Sequence, residues 1–277
     1  MNTINCRGKL LDLSQPVIMG IINATPDSFY EKSRHLNSNS AIIEAAKMIE
    51  AGAGILDIGG MSTRPGSSSI SIDEEIRRVV PVIKSLRSDF GSIVISIDTY
   101  RMEVAKAAVE NGADMINDIS AGEIDPSIIN YAGSQSLAYI MMHMNGLPVD
   151  MQDDPVYDDV VQQVFNYLMN KINTCSSAGI HDIIIDPGFG FGKTIDHNFS
   201  LLKKLEVFRV LDRPILIGIS RKSMIYRTLE VTPDDSLFGT TAAHVIALQK
   251  GARILRVHDV RAAQDAIQIW QQVEHAK

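Results

Sequence analysis

Residues 93–98 read Ile93-Val94-Ile95-Ser96-Ile97-Asp98, a run of β-branched side chains closed by a carboxylate. The run is apolar almost throughout. That pattern suits a strand covered on both faces, since a half-exposed strand would alternate. The same kind of run recurs at residues 17–22, 55–58, 115–116, 138–142, 183–185, 215–219 and 254–257, making eight candidate strands with 93–97. Between them lie stretches with helical spacing: 40–50, 72–86, 101–110, 159–175, 198–208, 236–249 and 261–273. The stretch 72–86 places Ile76, Val79, Val80, Ile83 and Leu86 on one stripe. It carries Asp73, Glu74 and Glu75 in its first turn, where the helix dipole favours acids. Glycine-centred stops at 51–53, 111–113, 177–179 and 250–252 each precede a strand, where a helix must end and turn back tightly.

Strands alternating with helices, eight times and with no linker, predict an α/β chain closed as a (β/α)₈ barrel, a single domain spanning residues 1–277. A doubly wound open sheet is the rival architecture, and eight units without a boundary favour closure. Residues 2–13 contain a short alternating segment around Arg7-Gly8-Lys9, expected to form a small hairpin over the bottom of the barrel.

Composition narrows the function. A net charge of −7 argues against nucleic acid or an anionic membrane as partner, so an anionic small molecule would need a local cluster of cations. Two cysteines, Cys6 and Cys175, lie far apart and form neither a Cys-x-x-Cys pair nor a disulfide framework. No secretory signal or membrane-length apolar window is visible, and the expectation is a cytoplasmic protein.

In a barrel of this type, polar residues at the C-terminal ends of the strands face the mouth, where chemistry occurs. Here those ends carry Asn23, Asp57 followed by Gly59-Gly60, Asp98, Asn117-Asp118, His143, Asp186, Ser220-Arg221-Lys222 and Arg256-Val257-His258. Any one of them could merely cap a helix or sit in a turn. As a set they divide by chemistry. Asp98, Asn117 and Asp186 suit a flat heterocycle with several N–H donors. Arg64, Lys222, Arg256 and His258 suit phosphate or pyrophosphate, which guanidinium groups bind in bidentate fashion. The segment from Gly188 to Thr194 looks like a phosphate loop but fails both glycine spacings, because positions 187 and 193 are Pro187 and Lys193. It is expected to be a flexible loop that brings Phe191 to the mouth. The histidines show no zinc spacing, no Gly-x-Ser-x-Gly elbow is present, and His244 reads as a packed histidine.

At these residues the chain resembles the dihydropteroate synthase family of pterin-binding barrels. Asn23-Ala24-Thr25-Pro26-Asp27-Ser28-Phe29 is similar to that family's first-loop signature, and Ser62-Thr63-Arg64-Pro65-Gly66 to its second loop. Asp98, Asn117-Asp118, Met142-His143-Met144, the run from Asp186 to Lys193, Ser220-Arg221-Lys222-Ser223 and Arg256-Val257-His258-Asp259 follow in the same order.

The resemblance implies a transferase of folate biosynthesis. It would join 6-hydroxymethyl-7,8-dihydropterin pyrophosphate to p-aminobenzoate and release pyrophosphate and 7,8-dihydropteroate, with Mg²⁺ as cofactor. It implies that Asp98, Asn117, Asp186 and Lys222 hold the pterin, with Met142 and Phe191 packed near it. Arg256 would stack on the pterin and, with His258 and the metal-site residue Asn23, hold the pyrophosphate and Mg²⁺. Thr63, Arg64, Pro65, Phe29 and Ser223 would shape the p-aminobenzoate pocket. Asp98, Lys222, Arg256 and His258 are the implied catalytic set. The resemblance also implies a homodimer formed through the last helices and a sulfonamide target.

Two positions depart from the family pattern. The first loop continues as Tyr30-Glu31-Lys32-Ser33-Arg34-His35 in place of Ser-Asp-Gly-Gly, and Met61 stands where a Glu is usual. Both border the p-aminobenzoate side. Two other readings compete: a methyltetrahydrofolate-dependent methyltransferase barrel, and a pterin-binding paralogue without turnover. The Thr63–Gly66 loop and the Arg256-x-His258 pair favour the synthase over the methyltransferase.

Overall fold

The computed structural model of the chain describes residues 2–24, 34–61, 70–146 and 155–276. Eight parallel strands close into a barrel: β3 (Val17–Asn23), β4 (Ala53–Gly59), β5 (Val94–Asp98), β6 (Met115–Asp118), β7 (Ala138–Met142), β8 (Ile183–Asp186), β9 (Ile215–Ile217) and β10 (Ala252–Val257). Each pairs with its chain neighbour, and β10 pairs with β3 to close the ring. The helices α1 (Arg34–Glu50), α2 (Ile72–Asp89), α3 (Met102–Glu110), α4 (Ser127–Ser134), α5 (Val160–Ser177), α6 (Ile195–Lys203), α7 (Ser223–Tyr226), α8 (Leu237–Gln249) and α9 (Val260–Glu274) fill the connections. This is the (β/α)₈ barrel that the strand pattern predicts.

Caps and stops fall where the residue types place them. Ser71 caps α2 by accepting from the Glu74 N–H, and Asp159 caps α5 by accepting from Val161 and Gln162. The stop after α3 uses Gly112 at φ +119°, where a Cβ would lie 3.0 Å from the Arg87 side chain.

The structure also departs from the expectations. The helix expected at 198–208 is α6 followed by a separate 3₁₀ segment, Leu205–Leu211. The eight-residue α4 and the single turn α7 are not visible in the helical spacing, being too short to show a periodic face. The strand expected at 215–219 ends at Ile217, ahead of Gly218.

Alternation along the strands builds two cores. Outward residues such as Ile58, Ile97, Ile116, Tyr139 and Ile185 pack against the helices. Inward residues Met19, Ile55, Val94, Met115, Ile140, Ile184, Leu216 and Ile254 fill the lower half of the barrel. The expected hairpin is present as β1 (Thr3–Cys6) paired antiparallel with β2 (Lys9–Asp12). Its Ile4 and Cys6, with Leu13, are fully buried in the inner core. It is tied down by Lys9, whose ammonium lies 3.0 Å from Asp114, and by Arg7, which donates to the Val109 and Ala113 carbonyls.

Candidate active site

Two residues beyond the inner apolar layer, the same inward face turns polar. From Ile55 it reaches Asp57, from Val94 Ser96 and then Asp98, from Met115 Asn117, from Ile184 Asp186, and from Ile254 Arg256. These side chains converge at the C-terminal end of the barrel. Arg256 lies at their centre. Its Nε donates to Asp57 Oδ2 at 2.6 Å and one terminal nitrogen donates to Asp98 Oδ2 at 2.6 Å. Asn117 Nδ2 donates to the same Asp57 oxygen at 3.0 Å. Burial raises the Asp98 carboxyl to about 7, with Arg256 opposing and Asp57 reinforcing the shift. Burial also raises the Asp186 carboxyl, while Lys222 works against it and the Gly188 N–H bonds it at 2.7 Å.

Lys222 enters from the loop before α7. Its ammonium donates to the Phe189 carbonyl and lies 4.5 Å from the centre of the Phe191 ring, a cation–π contact. Burial lowers it to about 8, with Asp186 opposing. Asp98, Asn117, Asp186, Phe191, Lys222 and Arg256 are thus brought to one place, with Met142 buried on the inward face of β7. The division of the mouth into a heterocycle half and an anion half needs correction. Arg256, read as part of the anion half, is seated among the carboxylates of the other half.

The rim holds the remaining cations. The Ser220 hydroxyl is 3.1 Å from His258 Nδ1 and accepts from the His258 backbone N–H, so the exposed His258 ring is fixed from behind. Ser223 opens α7 beside Lys222. Arg221 sits at φ 55° and is committed to Asp259 through two hydrogen bonds and to Asp234 through a third.

Asn23 ends β3 exposed at the mouth. Among the described residues no group of three or more His, Cys, Asp or Glu side chains is placed to hold a metal ion. Asn23 could supply a magnesium ion with one amide oxygen, the rest of its shell coming from substrate phosphate oxygens and water, ligands of the hard kind this ion takes. Phe29, Thr63, Arg64 and Pro65 lie outside the described residues, as do Tyr30–Ser33. Met61 lies within them, and its sulfur is 3.8 Å from the Tyr100 hydroxyl.

Three expectations are overturned. Not every polar strand end faces the mouth. Asp118 points outward, where it accepts from the Tyr139 hydroxyl, from the Ser120 N–H and hydroxyl, and from the Gly122 N–H. His143 leaves the mouth too: its Nδ1 is 2.9 Å from the Lys193 ammonium and its ring meets Tyr167 edge-on at 4.9 Å. Burial lowers His143 to about 2, so its ring is neutral at any physiological pH. The loop from Pro187 to Lys193 is fastened rather than flexible. Lys193 is buried inside it and donates to the carbonyls of His143, Gly188 and Phe191. Asp57 was named among the polar strand ends but assigned to neither half of the mouth. Its signal was available in the period-2 register with Ile55, but it sat inside the apolar run instead of at its end.

Fold and site define a class: a barrel whose mouth sets buried carboxylates and an amide beside partly buried cations, the arrangement of a barrel enzyme's active site. Comparison with known proteins gives the same class. The sequence pattern of the family described as pterin binding enzyme matches residues 19–258. The dihydropteroate synthase of Haemophilus influenzae is 45% identical over 270 residues, covering 97% of this chain and 98% of that one. The structure of Xanthomonas albilineans dihydropteroate synthase with 4-aminobenzoic acid superposes with a TM-score of 0.93 at 41% identity, covering 100% of this chain and 99% of that one. The structure of the same organism's enzyme in complex with 7,8-dihydropteroate gives 0.89 at 38% identity, covering 99% of this chain and 100% of that one. The chain belongs to the pterin-binding enzyme family, in its dihydropteroate synthase branch.

Proposed function

We infer that this chain carries out the reaction for which its relatives are named. It joins 6-hydroxymethyl-7,8-dihydropterin pyrophosphate to p-aminobenzoate, releasing pyrophosphate and 7,8-dihydropteroate. The observation that carries this reading is the inward-facing set Asp57, Asp98, Asn117, Asp186, Lys222 and Arg256, converging at the C-terminal end of a barrel 41% identical to one solved with 4-aminobenzoic acid.

The pterin lies on this floor. Asp186 and Asn117 take its amino and ring N–H groups, Lys222 meets its oxygen, and Phe191 and Met142 cover its faces. Arg256 gives up its contact with Asp98 to lie over the pterin and meet the pyrophosphate, which His258 also faces from the rim. Pyrophosphate departs only if its growing charge is met, and preorganised cations are the largest source of that stabilisation. Mg²⁺, bound through Asn23 and the phosphate oxygens, would add Lewis-acid charge to the same leaving group. Departure leaves a cationic methylene on the pterin. Asp98 faces that developing charge as a carboxylate, and the weakly basic arylamine attacks without a strong general base. Thr63, Arg64, Pro65, Phe29 and Ser223 shape the arylamine pocket in this reading.

The chain acts as a homodimer. Support comes from α8 and α9, which pack together and leave Phe238, Ile246, Ile269 and Val273 exposed. Two unpaired, buried cysteines support a cytoplasmic reading, and among the described residues no helix is long and apolar enough to cross a membrane. The test is direct. The protein, Mg²⁺, pterin pyrophosphate and p-aminobenzoate should yield dihydropteroate and pyrophosphate in equal amounts. No product at high protein concentration overturns the reading.

A further inference from the structure

Asp57 is fully buried on β4, one strand from the Asp98 carboxylate on β5. It has no path to a substrate except through its neighbours. One of its oxygens, Oδ2, accepts from two residues on opposite sides of it: Asn117 Nδ2 on β6 at 3.0 Å and Arg256 Nε on β10 at 2.6 Å.

We propose that Asp57 is a positioning residue that decides which way round the Asn117 amide faces and where the Arg256 guanidinium rests. An ionised carboxylate only accepts hydrogen bonds. An amide that gives its NH₂ group to Asp57 must turn its carbonyl oxygen the other way. Asn117 is itself buried in the barrel floor, so its amide has little room to rotate. The presented group is therefore an acceptor, suited to an N–H or amino edge, and it would reject a ring edge carrying only acceptors. The same carboxylate holds Arg256 by its Nε, leaving the far end of the guanidinium on Asp98. Release of the Asp98 contact frees that end for an anion while Nε stays anchored. One buried residue thus couples heterocycle reading to anion reading. This inference rests on the pterin reading of the floor given above.

The test compares Asp57→Ala, Asn117→Ala and the double variant. Asp57→Ala should lower kcat/KM for pterin pyrophosphate by about 100-fold and leave the KM for p-aminobenzoate within about twofold. The double variant should be no worse than the poorer single one, because both remove the same arrangement. Asp57→Asn retains an acceptor and should restore part of the loss. Additive losses, or an equal rise in both KM values, would overturn the proposal, since a merely structural role predicts those results.

The same proteins are titrated with 6-hydroxymethylpterin, which requires no turnover. A parent that binds it but forms no dihydropteroate refutes the reading of function and leaves the coupling of Asp57 to Asn117 still measurable. Should Asp57→Ala not fold, the parent decides the matter by nuclear magnetic resonance. One Asn117 side-chain N–H should be shifted downfield and protected from exchange, and a solvent-like amide overturns the proposal.

Discussion

Arg256 is shared by Asp57 and Asp98 before any substrate arrives, and a pyrophosphate would compete for the same guanidinium. Replacing Arg256 or Lys222 by alanine should lower kcat/KM by about 10²- to 10³-fold, as loss of one preorganised charge does elsewhere. Near-parental rates would remove these two residues from the site. The pH profile is a second residue-scale expectation. Burial raises Asp98 to about 7, so the free protein gains its carboxylate as pH rises through that value. Burial lowers Lys222 to about 8, so the ammonium is lost as pH rises further. The kcat/KM profile, which reports the free enzyme, should be a narrow bell between those two limbs. Asp98→Asn should flatten the acid limb and Lys222→Arg should move the alkaline limb upward. A flat profile across pH 6–9 would contradict both assignments. At this scale the sequence was informative where the polar residue closing an apolar run lay on the inward register, as at Asp98, Asn117 and Asp186, and misleading at Asp118 and His143. It named Asp57 but gave it no role, because a carboxylate inside such a run becomes meaningful only once the strand register places it beside Arg256, 199 positions away.

Loops after the strands set the next level. The Pro187–Lys193 segment is pressed so tightly onto the end of β7 that a Cβ on Gly188 would lie 1.8 Å from the His143 carbonyl oxygen. Gly188 also sits at φ +72°, in the left-handed region that other residues rarely adopt. Gly188→Ala should therefore cost more than about 2 kcal/mol, read as a lowered melting temperature, and should weaken pterin binding by displacing Asp186 and Lys222 together. Unchanged melting would refute the close packing. The fastening by Lys193 was not legible in the sequence. A lysine after Gly-Phe-Gly reads as solvent-facing until three carbonyls and a neutral imidazole are seen around it. The eight strands, by contrast, were legible within a residue or two at most ends, because burial on both faces leaves a short, β-branched apolar run bounded by turn residues.

For the whole molecule, the barrel separates stability at its bottom from chemistry at its top. At the bottom, Asp114 accepts from Lys9, Arg87 and the Ile95 N–H, joining the hairpin, α2 and the barrel wall. Asp114→Ala should destabilise the fold by about 3 kcal/mol, since it strands partly buried cations. Both KM values should stay unchanged in the folded fraction. Denaturant unfolding and initial-rate kinetics measure the two quantities, and a shift in KM would show that the two ends are not independent. Sedimentation should give about twice the 30.4 kDa chain mass, and Phe238→Glu on α8 should return it to a single chain.

The two thiols have a practical consequence. Cys6 is sealed beneath the barrel by the hairpin and Cys175 lies behind β7, 4.0 Å from the Met141 sulfur. Burial pushes both up to about 12, and only a thiolate reacts with alkylating reagents. The native chain should therefore leave maleimides unreacted, which a thiol titration of the folded protein checks. A single cysteine added at the mouth could carry a fluorophore with no native thiol removed, and the arrival of each substrate could be timed separately on unaltered machinery.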